Sequence, residues 1–117
     1  MRQHSRVTFS ADDRLRTFDH HSEELLGEVA DLSRGGLRLF TEQGLEAGQV
    51  YTLDLEVPVS SGRYRMQTVQ MTCLWTRRNA RLDRFEQGFT LAAPDPDFEA
   101  TVDLLKLLAR RSRSSRG

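Results

Sequence analysis

The residues best suited to ligand chemistry form a short run, Asp31-Leu32-Ser33-Arg34-Gly35-Gly36. The run combines a carboxylate, a hydroxyl and a guanidinium with two residues that have no side chain. Asp and Ser side chains fold back onto nearby backbone N–H groups, and paired glycines permit a positive φ, so the run predicts a turn between two strands. The same groups also suit a polar ligand with a flat base and phosphates. A plain β-turn and half of a binding site are both compatible with these residues.

A second group of candidates lies near the N-terminus, where three residues separate Arg2 from Arg6. Two guanidiniums on a short polar segment can fold over a ligand that has two bases and two phosphates. Each planar guanidinium can donate to guanine O6 and N7, bridge a phosphate or stack on a purine. Sixteen of the seventeen basic residues are Arg, a composition that codon usage explains as well as ligand chemistry does. Ordinary N-terminal charge is the alternative interpretation of this pair.

Other chemistries have little support in the sequence. His4, His20 and His21 lack the spaced Cys, His or carboxylate partners of a zinc site. No motif places a base beside Ser33, so nothing indicates a hydrolase. The chain contains neither a P-loop nor a G-x-G-x-x-G run. The sequence therefore predicts a domain that is not an enzyme and that holds no metal ion and no cofactor.

Length and composition indicate one small globular domain. The chain has 117 residues, of which 29% are charged and 38% hydrophobic. No apolar run approaches the ~20 residues that span a bilayer, and we expect no signal peptide and no membrane insertion. The single cysteine, Cys73, has no partner for an internal disulfide, which indicates a reducing, cytoplasmic location. Seventeen basic residues balance seventeen acidic ones, which argues against binding to a nucleic acid polymer.

Alternation of apolar and polar residues predicts the strands that position these groups. The clearest period-2 pattern runs from Tyr51 to Val59, and Pro58 marks its end or an unpaired edge position. Residues before and after Gln67 have opposite parity, which predicts a bulge near that residue. The arginine-rich stretch from Thr76 to Arg84 is predicted to be a polar loop, with solvated charge as its default role. Further strands are predicted at 7–9, 15–18, 25–30, 37–40, 63–75 and 85–91.

A C-terminal helix should follow the last strand. Asp95 before Pro96 fits an N-cap with proline in the first helical position. Apolar residues then recur at helical spacing from Phe98 to Leu108. We therefore expect a single domain over residues 1–109, made of an arm (1–6), a barrel (7–93) and a helix (95–109), followed by a basic, disordered tail (110–117).

The two candidate groups occur in an order and spacing that resemble a known signature. An R-x-x-x-R at Arg2–Arg6, followed some two dozen residues later by a D-x-S-x-x-G at Asp31–Gly36, is similar to the paired motif of PilZ domains. The likeness continues through a strand ending in Leu74-Trp75, an arginine-bearing loop, a strand with Gln87-Gly88-Phe89 and a terminal helix. It covers nearly the whole chain. The resemblance implies a mainly β fold, a six-stranded antiparallel barrel with a C-terminal α-helix.

The resemblance also implies a ligand, cyclic di-GMP. In the family the two arginines close over the dinucleotide from an arm, and the Asp and Ser meet it from the barrel surface. A carboxylate suits the N1–H and N2–H donors of guanine. Met1 occupies the place where an extra Arg accompanies two stacked ligand molecules, which weakens the case for two molecules per site. The implied ligand-binding set is Arg2, Arg6, Asp31, Ser33, Gly35 and Gly36, with Arg34 and Trp75 as further candidates.

The implied function is a non-catalytic cyclic di-GMP receptor that signals to an unidentified protein partner when its arm changes conformation. A PilZ-like adapter that binds a protein without the nucleotide is the first alternative. A small β-barrel that binds RNA or single-stranded DNA is the second, and it would require aromatic residues beside basic ones on an exposed strand face. For Trp75, a place in the core at the end of a strand is an equal alternative to ligand contact.

Overall fold

The computed structural model describes the backbone of residues 6–116 and the side chains of residues 6–109. Arg2, and with it most of the predicted arm, lies outside the described residues. A 3-10 turn at Ala11–Asp13 separates the first two strands. The strands are β1 (Val7–Thr8), β2 (Leu15–Asp19), β3 (Leu25–Ser33), β4 (Gly36–Thr41), β5 (Val50–Ser60), β6 (Arg63–Asn79) and β7 (Arg84–Leu91), and the helix is α1 (Pro96–Arg116).

The strands form one antiparallel sheet that closes on itself. Its order is β3-β2-β5-β6-β7-β4, and β4 pairs back with β3. The two-residue strand β1 pairs with β3 through Val7 and Leu32, so it is a short seventh strand in the described part of the chain. The predicted mainly β, antiparallel fold with a terminal helix is therefore confirmed. The described residues pair as seven strands rather than six, and β1 corresponds to the strand predicted at 7–9.

The core lies inside the barrel and under α1. Leu53, Leu55 and Val57 of β5 are fully buried, as their alternation predicts. Val59 was predicted on the same face, but 47% of it is exposed because a register shift between Pro58 and Ser60 carries the end of β5 away from the core. Helix α1 covers one opening of the barrel with side chains that are buried in the same cluster: Phe98, Val102 and Leu105.

The bulge predicted near Gln67 is wrong. The β5–β6 register is continuous from the pair Val50–Thr72 to the pair Pro58–Tyr64. Tyr64 is 62% exposed and lies on the outer face, so no change of parity is needed. Gln67 is buried, and its side-chain oxygen accepts a hydrogen bond from the hydroxyl of Thr101 in α1. A polar residue thus occupies an inward position because the helix supplies its partner.

The predicted loop from Thr76 to Arg84 is mostly strand. Strand β6 continues to Asn79 and pairs with β7 up to the pair Asn79–Arg84, so only Ala80–Asp83 forms the turn. The polar composition of this segment arises because its outward side chains pair with each other rather than with a core. Arg77, for example, donates to Glu86 on the neighbouring strand.

Helix α1 begins as predicted. The side chain of Asp95 accepts a hydrogen bond from the backbone N–H of Phe98 at 3.0 Å, and Pro96 is the first helical residue. The helical backbone continues to Arg116, beyond Ala109, where the sequence predicts the end of the helix and the start of a tail. No helix in the described part of the chain is long and apolar enough to cross a bilayer.

Removing the N-cap should weaken the anchoring of α1. Asp95→Ala leaves the N–H of Phe98 without its acceptor, and we expect a loss of about 1 kcal/mol in the free energy of unfolding. Urea unfolding of the two proteins measures this difference. Asp97→Ala, a change in the same first turn, should cost less because the carboxylate of Asp97 contributes through its charge near the helix N-terminus. Equal losses in the two variants would contradict the assignment of Asp95 as the cap.

Candidate functional site

The orientation of Asp31 depends on a bulge in β3. Val29 pairs with Leu39 and Asp31 pairs with Arg38, so Ala30 is an extra residue on this strand. Val29 and Leu32 both lie in the core as a result. Asp31 and Ser33 then face the outer side of the barrel, where strict alternation after Val29 would have turned them inward. Bulges commonly redirect side chains at functional sites in this way.

The turn that follows is tighter than predicted. Asp31 and Ser33 belong to β3, Arg34 and Gly35 make the turn, and Gly36 opens β4. Neither glycine has a positive φ; among the described residues, Gly48 and Gly62 are the glycines with that conformation. The turn therefore does not use the positive φ that paired glycines permit.

Close packing between strands explains Gly36. A Cβ atom at this position would lie 2.0 Å from the backbone oxygen of Phe89 in β7. The carbonyl oxygen of Gly35 accepts hydrogen bonds from the backbone N–H of Leu91 at 3.0 Å and from the hydroxyl of Thr90 at 3.2 Å. The turn is thus fastened to β7 through backbone groups that side chains would obstruct.

Asp31 is held between two arginines. Arg6 donates through Nε to Oδ1 at 2.7 Å, and its Nη1 lies 3.5 Å from the hydroxyl oxygen of Ser33. Arg38 donates through Nε to Oδ2 at 2.8 Å. Only 9% of the Asp31 side chain is exposed. The structure thus brings together three of the predicted residues, Arg6, Asp31 and Ser33, and adds Arg38.

Glu86 lies beside this cluster and carries a second group of ion pairs. Its side chain is 4% exposed and accepts hydrogen bonds from Arg77 at 2.9 Å and from Asn79 at 2.7 Å, while Nη1 of Arg38 lies 3.6 Å from Oε2. Burial opposes ionisation of this carboxyl. The hydrogen bonds from Asn79 and Arg77 and the charges of Arg77 and Arg38 outweigh burial, so the pKa of Glu86 lies below its ordinary value.

A second bulge turns Trp75 toward the same surface. Cys73 pairs with Phe89 and Trp75 pairs with Gly88, so Leu74 is the extra residue. Cys73 is in the core, whereas Trp75 is 38% exposed and its indole lies over Gly88. A Cβ atom on Gly88 would lie 2.3 Å from the indole nitrogen of Trp75. Trp75 is therefore on the barrel surface and not in the core.

Arg6, Arg38 and Trp75 line one depression on the barrel surface together with Asp31, whereas Ser33 and Glu86 do not line it. It has a volume of about 310 Å³, and Trp75 and Asp31 lie on its wall. Arg34 is directed elsewhere: its guanidinium lies 3.1 Å from a carboxylate oxygen of Glu99 and 3.6 Å from one of Asp103, both in α1. The full lining is Arg6, Asp31, Leu37, Arg38, Leu74, Trp75, Gly88 and Phe89.

Sequence reasoning missed Arg38, Glu86 and Arg77. Arg38 could have been found, because a two-residue turn at Arg34 and Gly35 places residue 38 directly opposite residue 31. Glu86 and Arg77 gave no such signal. Their pairing depends on the extension of β6 and on the bulge at Leu74, neither of which the residue pattern indicates.

The comparisons with known proteins bear on this geometry. The family model described as the PilZ domain matches residues 1–106. The chain belongs to the PilZ domain family. A comparison with curated protein sequences gave no match.

Several solved structures share the fold of this domain. The PilZ domain of YcgR from Escherichia coli with c-di-GMP has a TM-score of 0.73 and 13% identity, over 98% of this chain and 96% of that one. The Bacillus subtilis inhibitor of motility MotI/DgrA has a TM-score of 0.72 and 16% identity, over 97% of this chain and 51% of that one. The K. pneumonia MrkH–c-di-GMP complex has a TM-score of 0.66 and 16% identity, over 97% and 55%. This PilZ domain spans about half the length of MotI/DgrA and MrkH.

The lowered pKa of Glu86 predicts part of the acid sensitivity of the PilZ domain. Because its folded-state pKa is below the unfolded value, ionised Glu86 contributes stability above about pH 4.5, and this contribution is lost as the pH falls through the folded-state pKa. Glu86→Gln removes it. Urea unfolding at about pH 7 and pH 3.5 should therefore show a smaller loss of stability in Glu86→Gln than in the wild type. A variant at an exposed carboxylate, Glu42→Gln, should behave as the wild type does.

The two close-packed glycines should respond differently to a methyl group. Gly36→Ala meets a backbone oxygen, so we expect a loss of about 2 kcal/mol or more in the free energy of unfolding. Gly88→Ala meets the partly exposed Trp75, which can rotate away, so its loss should be smaller. Trp75 is the only tryptophan, and its emission should shift in Gly88→Ala but not in Gly36→Ala. An unshifted emission in Gly88→Ala would contradict the packing of the indole on Gly88.

Proposed function

We propose that this PilZ domain is a non-catalytic receptor for cyclic di-GMP that binds the ligand at the surface around Asp31. The observation that carries the proposal is the nearly buried carboxylate of Asp31, whose two oxygens are oriented toward a surface depression by Arg6 and Arg38. Membership of the PilZ family supports it, as does the likeness to PilZ proteins whose structures are described as c-di-GMP complexes.

The proposed contacts use the chemistry of each side chain. Oδ1 of Asp31 accepts from the N1–H and N2–H groups of one guanine, a pattern that adenine does not present. Arg6, displaced from Asp31, donates to guanine O6 and N7 or to a phosphate. Ser33 donates its hydroxyl, and the indole of Trp75 offers an apolar surface for a base. Arg2 completes the arm, and Gly35 and Gly36 hold the turn close to β7 beside the ligand.

The proposed signal is a change in the N-terminal segment. Arg6 donates a hydrogen bond to Oδ1 of Asp31 in the structure, and in the proposed complex guanine takes over this oxygen. A ligand shifts such an equilibrium only by its preference for one of the two states. New contacts of both arm arginines with the dinucleotide would supply that preference. The rearranged arm would then present a different surface to a protein partner in the cytoplasm.

The alternative is an adapter that binds a protein partner without the nucleotide. The observation in its favour is that Arg6 and Arg38 already engage both oxygens of Asp31, so that the site is satisfied without a ligand. The two functions differ in their response to the dinucleotide. The receptor binds it, and the adapter recovers its partner regardless of it.

Calorimetric titration with cyclic di-GMP is the direct test. We expect saturable heat and a change in Trp75 emission at the same ligand concentration. Arg6→Ala should weaken binding about 10-fold or more, because it removes a charged donor. Arg63→Ala is the matched control; Arg63 is exposed and lies twelve residues before Trp75 on the same strand, so its loss should leave affinity unchanged.

Two outcomes would overturn the receptor function. One is the absence of heat and of any emission change with folded protein at ligand concentrations of roughly 100 μM, well above those of an ordinary signalling receptor. The other is equal weakening in Arg6→Ala and Arg63→Ala, which would indicate nonspecific attraction of an anion. The first outcome with a partner recovered from cells would favour the adapter.

The stoichiometry of the same titration would also decide between one and two ligand molecules per site.

A further inference from the structure

Five charged side chains of alternating sign lie side by side on the outer face of the barrel. We call this set the charge row: Arg6, Asp31, Arg38, Glu86 and Arg77. The N···O distances between its neighbours are 2.5 Å for Arg6–Asp31, 2.8 Å for Arg38–Asp31, 3.6 Å for Arg38–Glu86 and 2.9 Å for Arg77–Glu86. The row crosses β3, β4, β7 and β6, which are adjacent strands in the sheet.

The charge row differs from an ordinary set of surface ion pairs in the burial of its carboxylates. The side chains of Asp31 and Glu86 are 9% and 4% exposed, although both lie on the outer face. Exposed pairs contribute little, but a carboxylate that has lost its water needs partners in fixed positions. The arginines above them supply these partners. Arg38 also stacks on the ring of Phe40, at 5.3 Å from its centroid, which restricts its guanidinium further.

The two partners of Asp31 are held very differently. Arg6 precedes β1, and 43% of its side chain is exposed. Arg38 is in the middle of β4, between Asp31 and Glu86, with a carboxylate on each side. Displacing Arg6 therefore breaks the ion pair with Asp31 alone, whereas displacing Arg38 breaks two ion pairs and its contact with the ring of Phe40. Arg6 is thus the partner of Asp31 that a ligand displaces more easily, and Arg38 is the partner that is held more firmly.

Glu86 connects Arg38 to the side of the depression on which Trp75 lies. It binds Arg77, whose guanidinium lies over the indole of Trp75 at 5.2 Å from the ring centroid. The same carboxylate thus holds Arg38, which orients Asp31, and Arg77, which covers Trp75. The carboxylate wall at Asp31 and the aromatic wall at Trp75 therefore both depend on the buried side chain of Glu86.

We infer that Arg38 and Glu86 are positioning residues of the ligand site, with Arg38 fixing the carboxylate of Asp31 for guanine and Glu86 fixing both Arg38 and Arg77. The inference rests on the proposed function. Neither residue has to touch the ligand. Arg38 acts through Asp31: without it, Oδ2 loses its donor and the carboxylate rotates or draws Arg6 more tightly onto itself. Either change lowers affinity for a guanine ligand.

A double-mutant cycle on cyclic di-GMP binding tests the role of Arg38. Arg38→Met should weaken binding about 10-fold or more in the wild-type background, as expected for loss of a charge-assisted hydrogen bond. In the Asp31→Asn background, the same change should cost less than about 3-fold, because the group that Arg38 orients has already been altered. Arg38→Lys, which keeps the charge but not the planar fork, should recover part of the affinity.

Arg84→Met is the matched control. Arg84 is 26% exposed against 33% for Arg38, also lies over Phe40, at 5.9 Å, and also pairs with a carboxylate, but that carboxylate is Glu28. Arg84→Met should leave the affinity for cyclic di-GMP unchanged in the wild-type protein and in Asp31→Asn. If Arg38→Met weakened binding equally with and without Asp31→Asn, or no more than Arg84→Met does, Arg38 would be a structural residue only and the inference would be wrong.

Glu86→Gln tests the role of Glu86 with a second readout. It should weaken cyclic di-GMP binding and, in the ligand-free protein, shift the emission and lower the fluorescence anisotropy of Trp75, because Arg77 is released. An unchanged Trp75 signal would overturn the link to the aromatic wall.

The same variants, unfolded in urea without ligand, separate the inference from the proposed function. A wild-type protein that fails to bind the dinucleotide refutes the receptor, whereas a missing Asp31–Arg38 coupling in unfolding refutes the positioning role.

Discussion

A carboxylate that has lost nine-tenths of its exposure to water has to be paired, and Asp31 is in this condition on the outside of a barrel. Arg6 and Arg38 each donate a hydrogen bond to one of its two oxygens. The strands must therefore bring Arg38 opposite Asp31, and the segment before β1 must bring Arg6 above it. Much of the architecture around the site can be understood as meeting this requirement.

Two bulges and two glycines shape the surface around Asp31. The extra residues Ala30 and Leu74 turn Asp31 and Trp75 outward while their neighbours stay in the core. Gly36 lets the turn approach β7, and Gly88 leaves the space that the indole occupies. Each device is local, and each acts on a different strand. Their combined effect is a surface depression with one anionic and one aromatic wall on a rigid sheet.

The parts of this arrangement that the sequence predicts are those governed by short-range rules. Alternation located the core of β5, Asp95 identified the start of α1, and the two arginine- and aspartate-based motifs indicated the family. The bulges at Ala30 and Leu74 could not be predicted. An alternating pattern does not show at which residue the strand carries an extra position, so the residues after it fit the inner and the outer face equally well. For the same reason Trp75 fitted the core and the surface equally well.

Polar residues were the second source of error. The opposite parity of the residues around Gln67 predicts a bulge, whereas the structure keeps Gln67 in the strand because its partner, Thr101, is in a helix 34 positions later in the chain. The polar composition at the end of β6 predicts a loop, whereas the segment is a strand whose side chains find their partners on β7 and not in the core. Whether a polar residue belongs in a strand thus depends on a contact that no local window of sequence contains.

The bulge at Ala30 has a consequence for how such a site changes over time. Loss of this one residue would shift the side-chain phase of β3, sending Asp31 and Ser33 inward and Leu32 outward. Core and site would then fail together. Shortening β3 by one residue would therefore disrupt the core together with the carboxylate site. Loss of the site that preserves the fold requires substitutions that keep the length of β3. Insertions and deletions should therefore be confined to loops such as the one between β4 and β5.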